Sequence, residues 1–170
     1  MKKARILWFG LSVIVLVSLL VALGCDTGRT GSSDKAGQKK FAFDPKNPCN
    51  LLTKEEVEAA IRQKVKDPSS QEYACTYETM DSKNFTSLTL SVDSVSDPEY
   101  LFNGMRDRFK DSGRPVKQVE GVGEGAYFYE KALHVLKGRH IFHFQSSGSE
   151  GYELNEEAVR NLAKTAIDKL

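Results

Sequence analysis

The chain has 170 residues, 24 Lys plus Arg against 23 Asp plus Glu, and a formal charge of +1. Such a balance excludes the basic excess with which proteins neutralise a phosphate backbone, so no nucleic-acid partner is expected. The length leaves room for one domain behind a leader.

The leader comes first. Met1 to Arg5 carries Lys2, Lys3 and Arg5 and no acid. Ile6 to Leu23 is apolar apart from small residues, and the segment closes Val21-Ala22-Leu23-Gly24-Cys25. A basic start, an apolar core and a small residue before the break point are the parts of a secretory signal peptide. Gly24-Cys25 resembles the lipobox of bacterial lipoproteins, which implies a signal peptide over 1–24, acyl chains such as palmitate on Cys25, and a membrane as partner. Ala22 and Leu23 depart from the usual lipobox order, and the apolar run is long enough to span a bilayer. An uncleaved signal anchor with a free Cys25 is therefore the rival reading. Asp26 resembles the signal that retains such proteins at the periplasmic face of the inner membrane.

Cleavage after Gly24 removes three bases, leaving 21 basic against 23 acidic residues and a formal charge of −2. The Lys39-Lys40 pair is too small a patch to bind anionic lipid strongly. Residues 25–45 are rich in Gly, Ser, Thr and Lys, a composition that cannot bury a core. They read as a disordered tether with an r.m.s. span of roughly 25 Å, at whose end Phe41 and Phe43 are the first side chains able to dock.

Residues 46–170 are expected to form one α+β domain. Cys49 and Cys75 are its two cysteines. In an exported domain two such cysteines read as a disulfide. A metal site is the alternative, but no His lies near them in sequence.

In chain order, Thr53 and Glu56 make a capping box for a helix to about Lys64, with Val57, Ala60 and Ile61 on one face. Tyr73, Cys75 and Tyr77 alternate with Ala74, Thr76 and Glu78. After a turn at 81–84, Leu88, Leu90 and Val92 alternate with Ser87, Thr89 and Ser91, so the two runs read as a hairpin. Asp97-Pro98 starts a second helix whose stripe is Leu101, Phe102, Met105 and Phe109, stopped by Gly113. AYFYE reads as a strand, with Val116 to Val119 a candidate short strand before it. ALHVLKGRHIFHFQ reads as a hairpin turning at Lys137-Gly138, with Leu133, Val135, His140, Phe142 and Phe144 on one face and His134, Ile141 and His143 on the other. Asn155 to Leu170 is an amphipathic helix. The order α-β-β-α-β-β-β-α predicts an antiparallel sheet of about five strands, with helices packed mainly on one face.

No pattern carries catalysis, a cofactor or a metal. Gly121-Val122-Gly123-Glu124-Gly125 leads into a strand, whereas a dinucleotide loop opens a helix, so it reads as a tight bend. His134 and His143 are expected as diagonal neighbours on one sheet face, without a third ligand beside them. Glu55-Glu56 and Glu156-Glu157 complement helix dipoles. No serine stands in a nucleophile motif, and Asn84-Phe85-Thr86 matches a glycosylation pattern that bacterial lipoproteins rarely use.

Three short motifs carry a resemblance: Pro48-Cys49-Asn50-Leu51-Leu52-Thr53, Cys75-Thr76-Tyr77, and Gly121 to Tyr127. From Pro48 onward the chain resembles a group of bacterial lipoprotein domains of unknown function. The resemblance implies a Cys49–Cys75 bridge, a fold akin to the photosystem extrinsic-subunit domain, and no enzyme activity. The function expected is a non-enzymatic envelope lipoprotein that binds a partner, such as an envelope protein, or serves structurally. The alternative is a carrier of a small apolar ligand held between sheet and helix.

Overall fold

The computed structural model describes residues 43–170, and its first helix starts at the capping box. Thr53 Oγ1 accepts from Glu56 N at 3.2 Å, and the Glu56 carboxylate accepts from Thr53 N at 2.8 Å. The helix α1, Lys54–Ile61, ends before the expected Lys64. Arg62 turns to a left-handed backbone at φ 60, while the Glu58 carboxylate accepts from both Lys64 Nζ and Val65 N. Those bonds hold the chain after Arg62 in an extended course.

Three strands follow: β1 (Ser69–Gln71), β2 (Ala74–Glu78) and β3 (Thr86–Ser94). After helix α2 (Pro98–Asp111) come β4 (Val116–Val119), β5 (Gly125–Tyr129), β6 (Ala132–Lys137) and β7 (His140–Gly148), and α3 (Glu156–Ile167) closes the order. The strands make one antiparallel sheet in the order β1-β2-β3-β7-β6-β5-β4. The fold is α+β, with seven strands where about five are expected. β1 escapes a periodicity reading because its three residues are all exposed edge positions. Tyr73, expected in line with Cys75 and Tyr77, instead sits in the β1–β2 turn at φ 63.

The β6–β7 hairpin turns at Gly138-Arg139, one residue later than expected, because Lys137 pairs with His140. Gly138 takes φ +57 at the first turn position, where a two-residue hairpin favours glycine. The slip moves every cross-strand partner by two residues. Because side chains alternate with period two, the faces stay as read.

Helices divide between the faces. Val57 and Ile61 of α1 and Val159, Leu162, Ala163, Ala166 and Ile167 of α3 join the core built on Cys75, Tyr77, Leu88, Leu90, Leu133, Phe142 and Phe144. α2 joins a second cluster on the opposite face, with Phe102 against Tyr127, Leu136 and Ile141. The sequence predicts helices mainly on one face; α1 and α3 share one, and α2 lies on the other. The reason is topological: α2 connects central β3 to edge β4, so it must cross the intervening strands.

Cys49 and Cys75 are joined in a disulfide, with Cα atoms 5.1 Å apart. The Tyr77 hydroxyl donates to Leu52 O at 2.7 Å beside it. Phe43 packs against the core, with its ring 5.6 Å from that of Phe142. Cys25 and Phe41 lie outside the described residues, among which no helix is long and apolar enough to cross a membrane.

The glycine-rich segment is a tight bend. Gly121 and Gly123 hold φ +76 and +61. A Cβ on Gly123 would lie 2.5 Å from Leu136 O and 2.6 Å from Val135 Cγ1. Gly123→Ala combines left-handed strain with overpacking, so urea unfolding is expected to show a loss of about 3 kcal/mol. A loss under 1 kcal/mol would mean that the bend relaxes freely. Removing the disulfide as Cys49→Ala/Cys75→Ala is expected to cost about 3.5 kcal/mol in the same assay, from the entropy of the opened loop.

Candidate functional site

The pairings across the sheet set one polar row beneath α2. Ser91 of β3 pairs with His143 of β7, His143 with His134 of β6, and His134 with Tyr127 of β5. The two histidines are thus directly opposed, rather than diagonal as the sequence suggested. His134 Nδ1 and His143 Nδ1 lie 2.7 Å apart, and His143 Nε2 lies 3.0 Å from Asp93 Oδ2. Asp93 is the member that sequence reasoning missed. Its place two residues beyond Ser91 puts it on the same face, but only the β3–β7 pairing brings it to His143.

Proton positions follow from the partners. A carboxylate only accepts, so His143 Nε2 carries hydrogen and donates to Asp93. Neutral His143 then offers a bare Nδ1, which accepts from the Nδ1–H of His134. That leaves His134 Nε2 as a lone pair, buried and without a hydrogen-bond partner. The Tyr127 hydroxyl is likewise buried and unpartnered.

Burial grades inward along the line. Asp93 is half exposed, the His143 side chain is 17% exposed, and His134 as a residue is 8% exposed. Aromatic rings enclose His134. Tyr127 stacks on it at 4.9 Å, and Phe109 of α2 lies 5.5 Å away. Phe109 also stacks on Tyr129 at 3.9 Å, and Phe102 lies 4.9 Å from Tyr127. Burial, and next the positive charge that His143 can carry, push the His134 imidazole down to about 4, against a smaller opposing pull from Asp93. Burial pushes the Tyr127 phenol up to about 12.

This arrangement links solvent-facing Asp93 through His143 to a buried nitrogen. It does not converge on a metal, because Asp93 meets the far nitrogen of His143 while the two Nδ1 atoms engage each other. Among the described residues, no group of three or more His, Cys, Asp or Glu side chains is placed to hold a metal ion. His140 lies on the other face, bonded to Ser94 Oγ at 2.8 Å, with the Phe43 ring 5.3 Å away.

The remaining polar candidates have structural partners. Ser87 bonds Ser147, and Thr76 bonds Thr89. Glu56 caps α1 and pairs with Lys169 at 2.8 Å. Glu124 accepts from Gly138 N at 3.1 Å and so steadies the β6–β7 turn. The chain matches no family model, and neither the curated proteins nor the solved structures compared with it match.

The buried imidazole makes stability pH-dependent. Above pH 6.5, the ordinary imidazole value, His134 is neutral folded and unfolded, and contributes no slope. As pH falls from 6.5 toward 4, the unfolded chain binds a proton that the folded one refuses, so stability falls. The total is roughly 3 kcal/mol, at about 1.4 kcal/mol per pH unit. Urea unfolding between pH 7 and 4 is expected to show this decline, and His134→Phe to flatten it. An equal decline in the variant would assign the effect to other groups.

Proposed function

We propose that the chain is an exported lipoprotein, anchored through acyl chains on Cys25, whose domain binds a partner in the cell envelope and performs no reaction of its own. The observation that carries this reading is the Cys49–Cys75 disulfide. Such a bond persists in oxidising compartments and is rare where thiols are kept reduced. It accords with the leader, with Cys25 after Gly24, and with the resemblance of the three motifs to envelope lipoprotein domains. Placement at the periplasmic face of the inner membrane rests on Asp26.

Partner binding draws support from the surface. The seam beneath α2 is filled by stacked rings. The outer side of α2 presents Tyr100, 78% exposed. Exposed tyrosines recur as anchors of protein interfaces.

A second reading, the carrier of a small apolar ligand, has one observation in its favour. Tyr127 Oη and His134 Nε2 are buried without partners in an apolar seam, so the polar head of a ligand entering with α2 displaced would satisfy both. Native mass spectrometry of protein extracted from its own membranes separates the readings, since a carrier retains a bound small molecule.

The anchor is tested by growth with a labelled fatty acid. Label on the wild-type chain, lost in Cys25→Ala, is the expected outcome. No label on the wild type would leave the uncleaved signal anchor.

A further inference from the structure

We propose that α2 is an acid-released cover, freed from the sheet when the His134–His143 pair takes up its second proton. The geometry sets a limit on how many protons the closed pair can hold. With its Nδ1 atoms 2.7 Å apart, the pair has room for one hydrogen between the rings.

Counting protons shows the consequence. The neutral pair holds two, one on His143 Nε2 and one between the Nδ1 atoms. A first added proton occupies His134 Nε2, and the inter-ring bond survives. A second added proton puts hydrogen on all four ring nitrogens. Two N–H groups, both on cationic rings, would then face each other at hydrogen-bond distance, and the rings must part.

His134 cannot move without disturbing α2. Its ring packs against both Tyr127 and Phe109, and Phe109 is the ring by which the last turns of α2 rest on Tyr129. α2 is also the least embedded long helix. Phe102 is its one fully buried side chain, against five in α3. The groups facing the pair are Asp93 from β3, Tyr127 from β5, and Arg106 and Asp107 of α2 near the Tyr127 hydroxyl. Of these, Asp107 bonds Arg106 and pairs with Lys110. Only Asp93 is bonded to the pair, and its single charge favours the first proton rather than the second. Release would bare Phe102, Phe109, Tyr127 and Tyr129 while α1 and α3 keep their own core on the opposite face.

Amide hydrogen exchange of the disulfide-bonded protein from pH 7 to 4, corrected for intrinsic rates, tests this. The opening constant of residues 98–111 is expected to rise about tenfold per pH unit for each proton taken up on opening, while residues 156–167 stay protected. In His134→Phe the pair is gone, and in His143→Gln the amide oxygen accepts from His134 Nδ1–H whatever the charge on that ring. His134→Phe is expected to lose the rise in α2, and His143→Gln to keep only the shallower part that burial of the remaining imidazole imposes. Equal loss of protection in α2 and α3, no rise in α2, or a rise that persists in both variants would each overturn the proposal.

Discussion

The nine registered pairs between β3 and β7 are the constraint on which the rest of the structure depends. They join two meanders, β1–β3 and β4–β7, that are otherwise local hairpins. The ladder closes a long excursion of chain, and loop closure must be met before its contacts stabilise anything. Once it is formed, Leu88, Leu90 and Val92 align beside Phe142 and Phe144, and a continuous apolar face exists for α1 and α3 to cover. The same ladder sets Asp93 within reach of His143. The core on one face and the histidine line on the other are two consequences of one register.

The resembling motifs have a packing explanation. Pro48 and Leu51-Leu52 are buried, Cys49 bonds Cys75, and Thr53 caps α1. Tyr77, two residues after Cys75, returns its hydroxyl to Leu52 O. The first two motifs thus meet and hold the N-terminal segment against β2. The third places Val122 in the core and lets backbone pass within reach of Leu136 O at Gly123. Their residue types are those that steric and covalent closure require, with no reacting group among them.

The second face has a different balance. α2 covers only part of it, with few fully buried side chains, and encloses two polar atoms that it leaves without partners. Buried groups of that kind lower local stability and concentrate where a structure responds to solvent or ligand. Across the rest of that face, hydroxyls pair with one another, Ser87 with Ser147 and Thr76 with Thr89. The sheet therefore has one side closely covered by α1 and α3 and one side covered in part by α2.

Much was legible from local pattern. The capping box at Thr53, the cap at Asp97 and the alternation of Leu88, Leu90 and Val92 are short-range signals, and each element starts where they point, while the last helix, expected to reach Leu170, ends at Ile167. The facing of His134 and His143 was readable too, because alternation survives a two-residue slip. Local pattern does not encode which strands become neighbours. The sequence by itself determined most of the elements, the inward faces of β3, β6 and β7, and the two cysteines available to bond, but neither β1 nor the turn at Tyr73. Tertiary structure alone decided that β3 lies beside β7, that α2 crosses the opposite face from α1 and α3, and that Asp93 completes the histidine line. Those features join residues as far apart as Thr86 and Gly148, and such contacts are chosen by the packing of whole faces, which no window of neighbouring residues contains.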